Sequence, residues 1–328
     1  MSDPSQAAGE TWRPTATLEA LRRRAAMLAG AREFFARCGL LEVETPILSA
    51  AAVSDPQIES LATHIAGLTA PVYLCTSPEY AMKRLLAAGS GDIYQICKVF
   101  RDGERGRWHN PEFTLIEWYR LGIDDAALMT EVEALVGFLL SPYRRLAPAE
   151  RLSYSAALRL HAGVDAHEAS ERELSESARR HGIECDADLD RDAKLDLLMG
   201  LVVGPRLGVE RPCFVCDYPA SQAALARLKP GPEPVAARFE LYLDGVELAN
   251  GFHELIDGEA QRARFERELA LRRMRGQVRP PLDERLLAAL GAGLPDCAGV
   301  ALGFDRLVAM AIGAPRLADA MAFTIDNA

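Results

Sequence analysis

Apolar positions first recur at helical spacing. Leu18, Leu21, Ala25, Leu28 and Phe35 follow Thr17, a good N-cap, and predict an amphipathic helix ending near Cys38-Gly39. Leu41 to Pro46 then predicts a short strand stopped by proline, Pro71 to Cys75 another strand, and Glu79 to Ala88 a helix closed by Gly89. Two longer strands, Asp92 to Phe100 and Glu112 to Tyr119, bracket a segment rich in Arg, Gly and His. That is the pattern of a hairpin with a charged tip. Residues 125–140 and several segments across 150–210 read as helices, and Lys229 to Pro234 as a loop. Phe239 to Leu243 and Val246 to Phe252 flank Asp244-Gly245 as a second hairpin. A basic helix over roughly Glu259 to Arg275 follows, and Gly299 to Gly303 enters a helix starting near Phe304. Strands joined by hairpins predict an α+β fold with an antiparallel sheet. Residues 1–16 read as a flexible polar N-terminus, and 17–328 as a single domain with a helical insertion at about 142–210.

Charge narrows the classes of partner. Lys plus Arg number 37 against 47 Asp plus Glu in 328 residues, a net charge of −10. Phosphate neutralisation normally requires a basic face, so a nucleic-acid partner is disfavoured and a cationic small substrate or basic protein favoured. With 49% hydrophobic residues the chain reads as globular rather than disordered. No apolar run approaches the roughly 18 residues of a membrane span, so no membrane association is expected. Met1-Ser-Asp-Pro-Ser-Gln6 lacks the features of a secretory signal, and seven scattered cysteines do not suggest disulfides. A reducing cytoplasm is the expected location.

The chemistry concentrates in two hairpins. Arg101 stands where a strand ends, and Arg105, Arg107 and His109 follow on the tip. Such cations suit a polyphosphate, because Arg offers a bidentate fork to phosphate oxygens; a solvated, inert tip is the alternative. Glu240 and Glu247 lie seven apart across the Asp244-Gly245 turn. A hairpin can bring them together as a Mg²⁺ site beside phosphates; solvated strand-edge glutamates are the alternative. Cys213-Phe-Val-Cys216 reads as a buried strand rather than a zinc site, and His64, His161, His167 and His181 lack ligand spacing. The basic run Arg262 to Arg275 is a solvated helix face or a guide for an acidic partner.

The wording of these stretches goes further. Phe100-Arg101 with His109-Asn-Pro-Glu-Phe-Thr114 resembles motif 2 of class II aminoacyl-tRNA synthetases of the lysyl type. Gly39-Leu-Leu-Glu-Val-Glu-Thr-Pro46 resembles motif 1, and Gly299-Val-Ala-Leu-Gly-Phe-Asp-Arg306 motif 3. The resemblance implies the class II catalytic core, an antiparallel sheet flanked by helices and dimerised through motif 1. It also implies activation of an amino acid by ATP, with Mg²⁺, to an aminoacyl-adenylate. Arg101 would hold the α-phosphate and Arg306 the γ-phosphate, unless Arg306 is only a surface partner of Asp305. Asp102, Gly103, Glu104, His109, Asn110, Phe113, Glu247, Leu248 and Gly303 would complete the ATP site, with His109, Asn110 and Phe113 around adenine. Glu240 and Glu247 would hold the metal.

Arg238 to Glu254 likewise resembles the lysyl synthetase strand pair, through Glu-x-x-Asn-Gly-Phe-x-Glu. By that likeness Asn250 and Phe252 face the amino acid, Glu254 meets its distal ammonium, and Ser77-Pro78-Glu79 the other amino group. Glu117, Tyr119 and Ala301 complete the pocket. Such a set of carboxylates suits a diamino substrate, since a buried ammonium needs acceptors.

Motif 1 begins about forty residues in, so the anticodon-binding OB domain of lysyl synthetases is expected to be absent and tRNA a poor acceptor. The chain is more similar to the elongation factor P lysine ligases, through Thr76-Ser-Pro-Glu-Tyr80, Met82-Lys-Arg-Leu-Leu86, Tyr218-Pro-Ala-Ser-Gln222 and Gly245 to Leu255. That family transfers (R)-β-lysine, with lysine a weaker substrate, to a lysine side chain of elongation factor P. Ala301 stands where lysyl synthetases have glycine, which narrows the pocket and suits an altered substrate backbone. The family glutamate that reads adenine falls on Gly103 here, with Glu104 one place later. The alternatives are a free-standing lysine-activating ligase with tRNA or a small acceptor, and a non-catalytic amino-acid sensor.

Overall fold

Thr17 caps the first helix, α1 (Leu18–Arg37), its Oγ1 accepting from the Ala20 amide at 3.1 Å. The computed structural model describes residues 12–186 and 189–328. The buried stripe of α1 is Ala20, Met27, Ala31 and Phe35, not the predicted Leu18 and Ala25, which are exposed. Small residues set that phase, because α1 packs closely on its neighbour: a Cβ at Gly30 would lie 3.1 Å from Leu139.

Short strands β1 (Leu41–Glu42), β2 (Leu48–Ser49), β3 (Ala62–Thr63) and β4 (Val72–Leu74) precede helix α2 (Glu79–Ala87). The long pair β5 (Ile93–Phe100) and β6 (Glu112–Leu121) follows, then α3 (Asp125–Leu140), β7 (Glu150–Ser153), α4 (Tyr154–Ala162), α5 (Glu171–Arg180) and α6 (Arg191–Leu198). The rest of the chain forms β8 (Cys213–Pro219), β9 (Leu228–Lys229), β10 (Val235–Leu243), β11 (Val246–His253), α7 (Gly258–Met274), α8 (Glu284–Gly293), β12 (Cys297–Gly303) and α9 (Phe304–Ile312).

Among the described residues, nine strands form one sheet, in the order β1-β5-β6-β12-β11-β10-β8-β7 with β9 beside β10. Only the edge pairs β1–β5 and β7–β8 are parallel. The antiparallel sheet flanked by helices is the predicted architecture. Helices α1, α3 and α9 cover one face around Phe35, Trp118 and Phe304. The region read as a purely helical insertion contributes a strand, β7, because the polar Glu150–Ser153 segment pairs with the buried β8 edge. Its helices close a separate core around Tyr154, Leu158 and Leu198. Residues 1–11 of the predicted flexible N-terminus lie outside the described residues. Its last two are fixed, since the Thr15 and Ala16 amides donate to the Ala322 and Met321 carbonyls.

Candidate active site

Strand alternation builds the site. Glu117 and Tyr119 stand two apart on β6, and Gly299, Ala301 and Gly303 are spaced by two on β12, so each set shares a face. Register then lines them up across the sheet. Glu117 lies opposite Ala301, Ala301 opposite Asn250, and Asn250 opposite Glu240. The next row runs Tyr119, Gly299, Phe252, Arg238.

Asn250 and Glu247 are three residues apart, a spacing that puts side chains on opposite faces of a regular strand. The register slips between Leu241, paired with Ala249, and Tyr242, paired with Glu247. Leu248 is the extra residue, and this bulge re-aims Asn250, Phe252 and Glu254 to the face that carries Glu240 and Glu247.

Two cavities open on this face, of about 260 Å³ and 140 Å³, and share Ile58, Arg101, Asn250 and Ala301 in their walls. Ser77, Pro78, Glu79, Glu117, Tyr119, Phe252 and Glu254 line the larger one. Here Ser77 Oγ donates to Glu117 at 2.7 Å and the Tyr119 hydroxyl donates to it at 2.8 Å. Burial, with Glu79 nearby, pushes the Glu117 carboxyl up to about 7. Glu254 does not present an open carboxylate. Its residue is 0% exposed, and Lys83 Nζ sits 2.6 Å from its Oε2. Lys83 also donates to Glu79 at 2.6 Å.

Gly299 makes the depth of this cavity possible. A Cβ there would lie 2.2 Å from the Tyr119 ring and 2.7 Å from Glu254 Oε1. Ala301 is opposite Glu117 and Asn250 and lines both cavities.

The smaller cavity gathers Arg101, Glu104, His109, Asn110, Phe113, Glu247, Leu248, Gly303 and Arg306. Arg101 lies 5.1 Å over Phe113 and donates to the Thr76 carbonyl at 3.4 Å. Its burial lowers the guanidinium pKa. Arg306, in the first turn of α9, donates to the Glu247 carbonyl at 2.9 Å and to His109 Nε2 at 2.9 Å. Burial and this arginine depress the His109 pKa, and Glu104 stands 3.3 Å from the ring. His109, expected around adenine, lines this cavity and also meets the motif 3 arginine. The alternative, Arg306 as a mere surface partner of Asp305, is absent from its bonds. Asp305 points the other way, pairing with Arg24 and accepting the Thr114 amide at 2.7 Å.

Asn110, which lines the same cavity, also has local partners. Its amide donates to the Glu112 carbonyl at 2.6 Å and accepts from the Ile325 amide at 3.1 Å. A Cβ at Gly303 would meet nothing closer than 3.6 Å, so the protein alone does not require glycine there.

Three of the expected residues do not line either cavity. Asp102 turns to its own loop, accepting from the Gly103 amide at 2.8 Å while its amide donates to the Glu59 carbonyl. Gly103 holds φ +76° at that turn, and Glu104 rather than Gly103 reaches the cavity. Glu240 is buried behind Glu247, its oxygens taken by Arg238 at 2.6 Å and the Tyr242 hydroxyl at 2.7 Å. Glu247 makes no side-chain hydrogen bond among the described residues. Burial and Glu240 push its carboxyl up to about 7. A divalent cation beside this pair would relieve the repulsion. Among the described residues no group of three or more His, Cys, Asp or Glu could hold one, so its other ligands would be phosphate and water oxygens, as suits Mg²⁺.

A family model for class II tRNA synthetases (D, K and N) matches residues 10–327. The chain belongs to that family. It is also 48% identical, over 97% of its length and 98% of theirs, to the elongation factor P--(R)-beta-lysine ligases of Salmonella dublin and Salmonella paratyphi B. Membership in the class II synthetases makes the protein an ATP-dependent ligase, with Mg²⁺ typical of the family. No helix among the described residues is long and apolar enough to cross a membrane.

Sequence reasoning passed over Lys83, Arg238, Gly299 and Ile58. A glycine inside a strand signals a close approach, and Arg238 precedes Glu240 by one strand period, so both carried a readable signal. Ile58 carried none, because only the tertiary fold brings it to the site, and the Met82-Lys-Arg-Leu-Leu86 stretch gave Lys83 no role because the fold sets its two carboxylate partners.

Proposed function

We propose that this class II ligase activates (R)-β-lysine as its adenylate and transfers it to a lysine side chain of elongation factor P. Near-full-length similarity to ligases of that name supports the acceptor and substrate. The observation that carries the reading is the junction at Arg101, Asn250 and Ala301, where a carboxylate-lined cavity opens into an arginine-lined one. A diamino acid in the first places its carboxylate toward a triphosphate in the second.

In the first step a substrate carboxylate oxygen attacks the α-phosphorus. The bond to the bridging oxygen breaks, diphosphate leaves, and a mixed anhydride forms. Charge builds on the non-bridging oxygens and on the leaving diphosphate, and Arg101 meets the first and Arg306 the second without reorganising. Glu247, with Glu240 beside it, would hold Mg²⁺, which would neutralise phosphate charge. In the second step the neutral amine of the acceptor lysine attacks the acyl carbonyl. An amide forms, AMP leaves, and the amine proton passes to solvent. Ala301 narrows the pocket by a methyl, which suits a β-amino substrate over α-lysine.

We also propose a cytoplasmic homodimer through motif 1, where Leu41, Ile47 and Leu48 are exposed, and tRNA as no substrate. Purified protein with ATP, Mg²⁺ and (R)-β-lysine should exchange diphosphate and add one β-lysyl mass to elongation factor P. Efficient tRNA charging with no mass shift on that factor would overturn the reading.

A further inference from the structure

Behind two of the carboxylates that line the amino-acid cavity lies a buried cation. Lys83 is 1% exposed, yet its ammonium lies 2.6 Å from Glu79 and 2.6 Å from Glu254. Neither Glu254 oxygen has a well-directed hydrogen bond, so this contact is chiefly a charge pair. Glu117, the third carboxylate, has Ser77 and Tyr119 as donors but no cation of its own.

Resting on the diamino-acid reading above, we propose that Lys83 is a specificity-determining positioning residue. It clamps Glu79 and Glu254, and brings the formal charge of the Glu79, Glu117 and Glu254 cluster to the value that two substrate ammonium groups offset.

The arithmetic is simple. Glu79, Glu117 and Glu254 with Lys83 leave a local charge of −2, apart from Asp55, Glu268, Asp283, Arg84 and Arg285 elsewhere in the lining, and Arg101 at the cavity junction faces the substrate carboxylate. A monoamino acid would leave one buried carboxylate without a cation, which is costly. Position matters as much as charge. A carboxylate held from one side by a fixed ammonium keeps its remaining lone pairs aimed, and a substrate ammonium meets acceptors already in place. Burial favours neutral carboxyls at Glu117 and Glu254, and Lys83 opposes this at both.

The test is calorimetric binding of (R)-β-lysine and of an analogue in which the distal amine is replaced by methyl. It uses wild type, Lys83→Met, Glu254→Gln and the double variant Lys83→Met/Glu254→Gln. Wild type should prefer the diamino ligand. Lys83→Met should lose about 10- to 100-fold in affinity for it while the analogue changes little, so that the preference collapses. Where Glu254 is already Gln, removing Lys83 should cost clearly less, because one of the two carboxylates it clamps is gone, and that comparison covers the case in which Lys83→Met fails to fold. ATP affinity should stay unchanged, because Lys83 does not line the smaller cavity.

Equal losses for both ligands would assign Lys83 a purely structural role and overturn the inference. So would a Lys83→Met variant that keeps the wild-type preference, or a double variant that falls about 10- to 100-fold below Glu254→Gln. A wild-type protein without preference for the diamino ligand overturns the functional reading and this inference with it, and that outcome is visible before any variant is made.

Discussion

In the amino-acid cavity, charged side chains answer one another: Lys83 lies between Glu79 and Glu254, and Glu117 rests on two hydroxyls. In the neighbouring cavity the arginines lean on neutral acceptors. Arg101 donates to a backbone carbonyl, and Arg306 to two carbonyls and an imidazole. A carbonyl orients a guanidinium without cancelling its charge, so both arginines keep their attraction for an anion. Pairing with carboxylates would have spent it. The amino-acid side needs the opposite arrangement, because three adjacent carboxylates cannot all stay ionised without a cation among them.

Several experiments would break or sharpen this contrast. The largest effect should come from Arg306→Ala. Diphosphate exchange should fall by about a thousandfold or more, while amino-acid binding by calorimetry holds. Comparable loss of both would show that the two cavities are not separable. Next is Gly299→Ala, whose methyl would enter the Tyr119 ring. Thermal unfolding should report about 1–3 kcal/mol of lost stability, with a raised KM for the amino acid and an unaltered KM for ATP. Gly303→Ala makes the matched control, since its Cβ has room and stability should stay near wild type.

A smaller effect is expected from pH. With Glu117 at about 7, the group is protonated below that pH and must release its proton to accept an ammonium. Affinity for the diamino acid should therefore rise as pH goes from 6 to 8, by up to about tenfold per unit for each proton released. Glu117→Gln should flatten that profile. A pH-independent affinity in wild type would count against the carboxylate-to-ammonium contact. Smallest is Thr17→Ala, which removes the α1 cap far from either cavity. It should cost about 1 kcal/mol in thermal unfolding and leave both KM values alone.

Much of the scaffold was legible because periodicity and caps act locally. The helix after Thr17, the helix at Glu79, the β5–β6 hairpin and the Asp244-Gly245 turn all lie within a few residues of their predicted bounds. The phase of α1 was misread, because Leu18 and Ala25 looked apolar enough to be buried while close helix packing selected Ala20, Met27 and Ala31. All but three of the residues that the motifs singled out line the two cavities. What the motifs do not show is where such a side chain also has a local partner. Asn110 pins the hairpin to the C-terminal segment, Asp102 caps its own turn, and Glu240 is claimed by Arg238 and Tyr242.

By itself the sequence determined which residue types stand on each strand, because a side chain's face follows from its own backbone period. It also determined the helix starts, through short-range hydrogen bonds to the caps. Register and depth were decided only by the tertiary structure. The slip at Leu248 depends on how β10 and β11 pair, and it turns Asn250, Phe252 and Glu254 toward Glu240. The burial of Lys83 between two carboxylates depends on α2 meeting the end of β11. Both outcomes rest on contacts between distant segments, whose free energy exists only once the sheet is assembled.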